Sequence, residues 1–284
     1  PSSTGFSSVL KNIGSIENKG LEVSISANVL RGGFKWDIIA QASTNKNTIL
    51  ELAGGADIIG SSFGHPFEGP LNIMREGESY GSYYGLVYDG LNDLGYFKYK
   101  DLNNDGVVNP QDRVIIGDPN PTLLYSFSNN FSYKNFGLTI FFEGIQGRDI
   151  FWATAGTHLG SMINGQNQFA DFFGNFWTSE NPDPNAKYQK ISSKSNTVVS
   201  DKFVENGSYL KLKTLTFSYN IPVSKISWLK EAQIYFTGSN LFSLNNYPGL
   251  DPDVNTRGNE DFRGVDQNAY PTAKIITIGG RIIF

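Results

Sequence analysis

Oxygen-bearing side chains between residues 101 and 112 fall at the spacing of a calcium-binding loop. Positions 1, 3 and 5 carry Asp, Asn and Asp, and a glycine stands at position 6, where such loops turn sharply. Ca²⁺ is a hard cation that takes about six to eight oxygen ligands, and this spacing wraps them around one point. The predicted ligands are Asp101, Asn103, Asp105, Val107 through its backbone carbonyl, and Asp112.

This loop ends in Asp112, where an EF-hand has glutamate. Loops of the dockerin type share the aspartate ending, so flanking helices need not follow. The aspartate side chain is shorter than glutamate and reaches the ion through one oxygen. The alternative interpretation is an acidic turn that holds no ion. We expect Ca²⁺ in a structural role, in which it stiffens a long surface loop.

Residues of the kinds used in hydrolysis are present, but their context does not support catalysis. Ser62 lies in a G-x-S-x-G sequence, a pattern that needs a strand-to-helix elbow in an α/β sheet. His65 and His158 are the only histidines, and His65 is three residues from Ser62. Loop acids such as Asp251 and Asp253 could form a glycosidase pair, although solvated loop acids are the usual case. We therefore predict that the chain is not an enzyme.

Composition narrows the class of protein. Charged residues make up 18% of the chain, below the quarter typical of soluble domains, whereas aromatic residues reach 14%. Aromatic-rich strands with long polar loops are typical of membrane barrels, and a secreted β-sandwich is the alternative. The net charge is −4 without a Lys/Arg cluster, which argues against a nucleic-acid partner. With no cysteine there is neither a disulfide framework nor thiolate chemistry.

Apolar and polar residues alternate with period two in several segments, which predicts β-strands. The chain has no run of 18 apolar residues, so a transmembrane helix is excluded and a barrel is the only way to span a membrane. We predict an all-β chain with strands at 21–29, 34–43, 125–133, 138–147, 210–219, 233–243 and 272–284.

Short and long connections alternate between these strands. Three are short, near 30–33, 134–137 and 221–232, and three are long, at roughly 50–122, 148–208 and 245–271. A barrel with tight turns at one rim and long loops at the other produces this asymmetry. Seven strands cannot close a membrane barrel, so residues 1–284 are interpreted as one arc of a larger one. The opening Pro1, without an initiator Met or signal peptide, fits a chain that is part of a longer protein.

Eight segments, in order and over nearly the whole chain, resemble the C-terminal portion of the SusC/RagA family of TonB-dependent transporters from Bacteroidetes. They are residues 12–22, 43–47, 81–90 and 101–112, Trp177 with Asn181 and Pro182, and residues 204–213, 238–242 and 247–252.

The resemblance implies the C-terminal arc of an antiparallel barrel of about 22 strands in the bacterial outer membrane, with long extracellular loops. It implies TonB-driven import of oligosaccharides or peptides together with a SusD-like surface lipoprotein. The plug, the TonB-contacting segment and the N-terminal strands would lie outside this chain. The alternative function is a secreted, calcium-binding β-domain that recognises glycans.

Aromatic residues near residue 175 admit two interpretations. The faces of Phe172, Phe173, Phe176 and Trp177 could stack on sugar rings. Alternatively, they pack a small core within the loop, which we favour because Trp177 belongs to the segments that carry the family resemblance.

The chain ends on an aromatic residue after an alternating strand. Outer-membrane barrels resemble one another in this ending, and the terminal aromatic is read by their assembly machinery. We therefore expect Phe284 to be an assembly signal at the inner membrane interface. Ile276, Ile278 and Ile282 should face lipid with it, whereas Arg281 should point into the lumen, because on the lipid face it would cost roughly 2–4 kcal/mol.

Overall fold

The computed structural model describes residues 14–159, 167–191, 197–256 and 262–284. Asn12 and Ile13, which open the first segment of the family resemblance, lie outside the described residues. The described chain is almost entirely β-structure, as the period-two alternation predicts. It contains one α-helix, Ala153–His158, and in the described residues no helix is long and apolar enough to cross a membrane.

The strands, in chain order, are β1 (Gly14–Lys19), β2 (Glu22–Arg31), β3 (Phe34–Thr44), β4 (Lys46–Leu52), β5 (Ile58–Ile59), β6 (Ser62–Gly64), β7 (Phe67–Pro70), β8 (Asn72–Met74), β9 (Ser82–Gly85), β10 (Tyr88–Leu91), β11 (Phe97–Tyr99), β12 (Val114–Gly117), β13 (Leu123–Tyr133), β14 (Phe136–Gln146), β15 (Asp149–Trp152), β16 (Thr197–Val198), β17 (Val204–Asn206), β18 (Tyr209–Ile221), β19 (Glu231–Asn245), β20 (Val265–Asp266) and β21 (Ile275–Ile283).

Seven of these strands form one antiparallel sheet in the order β2-β3-β13-β14-β18-β19-β21. They are the seven strands that the sequence predicts, with ends shifted by up to three residues. The sheet is open in the described chain. Its strands are 9 to 15 residues long. A tilted strand of about 9–11 residues is long enough to cross a bilayer.

The two faces of the sheet differ in chemistry because cross-strand partners share a face. One row of partners on the apolar face is Trp36, Phe131, Leu138, Phe217, Phe236 and Ile278. The adjacent row, on the polar face, is Asp37, Asn130, Thr139, Thr216, Thr237 and Thr277. Many large side chains of the apolar face are exposed in this chain, Ile278 to 81%. That exposure requires an apolar surrounding.

One polar side chain interrupts the apolar face. Asn129 lies between Ile38 and Ile140 and is 8% exposed. The indole Nε1 of Trp36 donates a hydrogen bond to Asn129 Oδ1 at 3.2 Å. The neighbouring Trp therefore covers the amide and satisfies its oxygen, so that a polar group can stand on this face at reduced cost.

The described parts of the three long connections fold together into what we call the loop body. It comprises the first loop (residues 45–122), the second (147–159, 167–191 and 197–208) and the third (246–256 and 262–274). Its strands join one loop to another: β16 of the second loop pairs with β7 of the first, and β15 of the second pairs with β20 of the third. The main hydrophobic core lies here and not against the sheet. Its fully buried aromatic members are Phe67, Tyr83, Phe151 and Phe172.

The first hairpin continues from the sheet into the loop body. Strand β1 pairs with β4 as an extension of the β2–β3 pair, bent at residues 20–21 and at Asn45. Gly20 makes the bend possible, because a Cβ at this position would lie 1.9 Å from the carbonyl oxygen of Thr44. The close approach of the two backbones thus requires glycine.

The chain's C-terminus lies at the end of the sheet that carries the three short turns. Ile276, Ile278 and Ile282 lie on the apolar face, and Arg281 lies on the polar face opposite Gln233. Phe284 stacks on Trp228 of the third short turn, with ring centroids 5.6 Å apart and planes at 15°. The two rings together form an exposed aromatic patch beside the last strand.

Deletion of Phe284 from the full-length protein should sharply lower the amount of assembled barrel, because the aromatic at the end of the last strand is lost. Heat-modifiable gel mobility measures assembled protein. The conservative change Phe284→Tyr keeps the ring and should assemble normally. Wild-type amounts of the heat-modifiable form in the deletion would refute the assembly role.

Candidate functional site

The predicted calcium loop lies in the first loop, between β11 and β12. Gly106 has φ of +88° at the expected sharp turn. A short 3₁₀ turn, Pro110–Asp112, closes the segment, and Asn109 caps that turn by accepting a hydrogen bond from the backbone N–H of Gln111 at 2.7 Å. The loop therefore ends in a turn and not in the helix of an EF-hand.

Asp112 ties the two ends of this loop together. The side chain is fully buried, and Oδ1 accepts hydrogen bonds from the backbone N–H groups of Leu102 at 2.8 Å and Asn103 at 3.2 Å. Oδ2 accepts from the backbone N–H of Asn109 at 2.8 Å. These bonds to the charged form lower the pKa of Asp112 although burial opposes them. The carboxylate is therefore held ionised inside the loop.

Two other predicted ligands converge on one point. The amide Nδ2 of Asn109 donates to the Val107 carbonyl at 3.1 Å and lies 3.4 Å from Asp105 Oδ2. Asp101 accepts from the backbone N–H of Gly106 at 2.8 Å. Oxygen atoms of Asp105 and Val107 thus surround the positively polarised amide NH₂ group of Asn109. Asn109 was missed by the sequence analysis, although it stands at position 9, which supplies a ligand in many calcium loops.

The fit to a cation is partial. Within the described ranges, no three His, Asp or Glu side chains converge as a group that could hold a metal. The predicted set relies on an amide and a carbonyl besides its three acids, and hydrogen bonds within the loop engage several of the oxygens. Calcium binding therefore stays a prediction.

The candidate hydrolytic residues are not assembled into a triad. Ser62 begins strand β6, without a following helix, and its hydroxyl lies 3.5 Å from the carbonyl of Gly69. His158 ends the short helix, where its Nδ1 lies 2.6 Å from the Asn167 carbonyl and its Nε2 lies 3.2 Å from Asn268 Oδ1. The ring bridges the second and third loops, which is a structural role.

The aromatic residues near residue 175 mostly pack into the loop body. Phe172 is fully buried and stacks on Phe176 at 4.7 Å, and Trp177 is 7% exposed. Phe173 differs, with 64% of its surface exposed. The interpretation as a loop core thus holds for three of the four.

A cavity of about 800 Å³ is lined mainly by the second and third loops, with Phe97 of the first loop in its wall. Its walls combine aromatic rings with charged groups, among them Trp152, Phe169, Lys202, Phe203, Glu205 and Tyr270. The pairing of β15 with β20 brings these walls together across about 110 residues of sequence. This cavity could not be anticipated from local sequence patterns.

Charged side chains fasten the third loop to the polar face of the sheet. Lys211 of β18 is 3% exposed, and its Nζ lies 2.6 Å from Asp251 Oδ1 and 3.3 Å from Asp253 Oδ2. Asp251 Oδ2 also accepts from the backbone N–H of Thr272 at 3.1 Å. Burial alone would raise the pKa of Asp251, but these partners hold it at about 2. We call this contact the loop latch.

Comparison with known proteins gives a consistent result. The chain is 34% identical, over 98% of its length, to TonB-dependent receptor P3 of Formosa agariphila, and 26% identical to TonB-dependent receptor SusC of Bacteroides thetaiotaomicron. It spans about 30% of the length of these relatives. No family model matches the sequence.

Solved structures agree on the fold. The RagAB peptide importer in its open-open state superposes with a TM-score of 0.80 at 22% identity, covering 100% of this chain and 30% of that one. A second structure, of the RagAB peptide transporter, gives a TM-score of 0.77 at 23% identity. The chain belongs to the SusC/RagA family of TonB-dependent receptors. Its seven-stranded sheet is an arc of the family's β-barrel, and the family's members are outer-membrane proteins.

The loop latch predicts a pH dependence in this SusC/RagA chain. The pKa of Asp251 is depressed, so the latch is complete above about pH 4, the ordinary range of an Asp, and is lost as the pH falls toward 2. The protection of amides in residues 246–256 of the full-length protein, measured as hydrogen–deuterium exchange relative to the intrinsic exchange rate at each pH, should therefore fall in that window.

The same measurement at neutral pH tests the latch by mutation. Asp251→Asn leaves Lys211 buried without its closest counterion, a defect that typically costs roughly 3–5 kcal/mol. Exchange in the third loop should rise by about tenfold or more. The matched control Asp253→Asn removes a more exposed and more distant acid and should change exchange little. Equal exchange in the wild type and in Asp251→Asn would contradict the latch.

Proposed function

We propose that this chain forms part of the wall and the outer rim of a TonB-dependent importer of oligomeric nutrients, either glycans or peptides. One observation carries the proposal: three long loops interlock into a loop body with a large cavity, latched to the polar face of a barrel arc. Loops that bind a ligand must keep their shape above the membrane, and inter-loop pairing gives them that rigidity. Energy would come from TonB through the remainder of the receptor.

A SusD-like surface lipoprotein is the proposed partner. The relative named SusC and the fold shared with RagAB, an assembly named as a peptide importer, support a partner of the SusD/RagB type. The loop body would offer the docking surface, since it lies on the side of the sheet opposite the short turns. Outer-membrane lipid would cover the apolar face.

The secreted alternative is weaker. A soluble glycan-binding domain would hold its large apolar side chains inside, yet here they cover one face of the sheet, with Ile276 and Ile278 more than two-thirds exposed. Contiguous apolar surface of that extent requires lipid or another protein. A catalytic role lacks support, since Ser62 begins strand β6 without a following helix and the ring of His158 bridges the second and third loops.

Uptake in living cells tests the import function. Deleting the full-length gene should abolish uptake of one class of fluorescent oligomer, glycan or peptide, and plasmid-borne wild-type protein should restore it. Collapse of the proton gradient with a protonophore should block the restored uptake, because TonB coupling needs that gradient. Unchanged uptake of both classes in the deletion strain would refute the proposal.

We also propose that the loop at residues 101–112 binds one Ca²⁺ as a structural ion. The buried, ionised Asp112 and the convergence of Asp105 and Val107 oxygens support this. Bound Ca²⁺ would neutralise three acids that otherwise repel one another and would fix the segment leading into β12.

Terbium luminescence of the full-length protein tests the ion. Asp105→Asn should remove one calcium-displaceable terbium site per chain, because it takes away a carboxylate ligand. The matched control Asp93→Asn makes the same chemical change at an exposed position eight residues before the loop and should keep the site. The same number of sites in wild type and Asp105→Asn would rule out calcium in this loop.

A further inference from the structure

Two charged groups that line the cavity have no counterion within 4 Å among the described residues. Among the described residues, Glu205 makes no side-chain hydrogen bond and no ion pair within 4 Å. Lys202 likewise forms no ion pair there; its Nζ donates to the carbonyl of Lys187 at 3.4 Å and lies 4.8 Å from the centre of the Tyr88 ring. Most of the hydrogen-bonding capacity of both groups is therefore open to the cavity.

Other charges at the same cavity are satisfied. Asp171 pairs with Lys187 at 2.5 Å, and Asp266 accepts the hydroxyl of Tyr247 at 2.6 Å. The fold therefore supplies partners for other charged groups that line this cavity. It leaves Glu205 and Lys202 without such partners.

This arrangement is costly for the folded protein. Burial raises the pKa of Glu205 and lowers the pKa of Lys202. The attraction between the two charges, together with Lys187 acting on Glu205 and Asp201 acting on Lys202, offsets burial only in part. Half-buried charges without partners are unusual in a structural core, and a ligand of complementary charge would relieve their desolvation. An uncharged ligand would supply hydrogen bonds to these groups but no opposite charge.

Several aromatic rings of the apolar walls already pack against one another. Trp152 stacks on Phe169, with centroids 5.9 Å apart and planes at 12°. Phe203 packs edge to face against Phe67 and Phe97, at 4.9 and 6.0 Å. Rings already engaged in this way offer apolar walls suited to aliphatic side chains. A sugar ring needs an open face, which Tyr270 offers at the cavity mouth, where it is 93% exposed.

We infer that this cavity is a peptide-binding subsite, in which Glu205 pairs with an ammonium group, Lys202 pairs with a carboxylate, and the Phe97 and Phe203 walls hold apolar side chains. The inference rests on the proposed import function and gives it a substrate class. The cavity's volume of about 800 Å³ lies within the range of small-ligand sites, roughly 300–1,000 Å³, which suits a peptide of a few residues.

Binding to the purified full-length receptor tests this subsite. The probes are tri- to pentapeptides with free termini, the same peptides acetylated and amidated, and uncharged gluco-oligosaccharides, measured by calorimetry. Free peptides should bind, and Glu205→Gln and Lys202→Met should each weaken them by about tenfold or more. Acetylated peptides lack the ammonium group and should bind weakly to wild type, with little further loss in Glu205→Gln.

Matched controls separate charge from packing. Lys190→Met removes a lysine that lies over the Trp177 and Tyr96 rings, outside the cavity lining, and should bind peptides as the wild type does. Heat-modifiable mobility shows that each variant is assembled. Unchanged peptide affinity in Glu205→Gln and Lys202→Met overturns the inference, as does an absence of peptide binding.

Oligosaccharide binding that depends on Tyr270, tested by Tyr270→Ala, and not on Lys202 or Glu205 would assign the cavity to glycans and also overturn the inference. The proposed function would survive that result. The proposed import function has its own test, and it fails if deletion of the gene leaves the uptake of both glycans and peptides unchanged.

Discussion

Apolar and polar side chains alternate along seven antiparallel strands, and the position of the core and of the loops follows from this alternation. It makes one face of the sheet apolar and exposed and the other face polar, and the third loop is fastened to the polar face. Backbone N–H and C=O groups within a membrane must be paired, so each strand needs a neighbour on both sides. The open strands β2 and β21 therefore require further strands, as the structural likeness to a much longer barrel protein also indicates.

A sheet with one exposed apolar face and one polar face has no core of its own, which explains why the hydrophobic core lies elsewhere. The buried aromatic residues are in the loop body, where Phe67, Phe151 and Phe203 pack against one another from the first and second loops. The loop body is thus folded in its own right and is fastened to the sheet by the pair of Lys211 and Asp251. The strand pairs between the loops join them into one body, and this body can therefore hold a cavity of defined shape.

The sequence was sufficient to predict the sheet, because period-two alternation is local and each of the seven strands carries it. It was not sufficient for the loop body, whose strands are two to seven residues long and pair across distant segments, as β7 does with β16. The alternation alone does not predict every position of the sheet. Asn129 can stand on the apolar face because Trp36, from another strand, donates a hydrogen bond to its side chain. Lys202 and Glu205 were missed for a related reason: only tertiary contacts reveal that they lack counterions.

We place the three short turns and the loop body on opposite sides of the outer membrane. Cysteine labelling with a membrane-impermeant maleimide tests it directly, since this chain contains no cysteine. Phe173→Cys, at an exposed site of the second loop, should be labelled on intact cells. Gly32→Cys, in the turn between β2 and β3, should be labelled only after the cells are broken. Labelling of Gly32→Cys on intact cells would contradict the account.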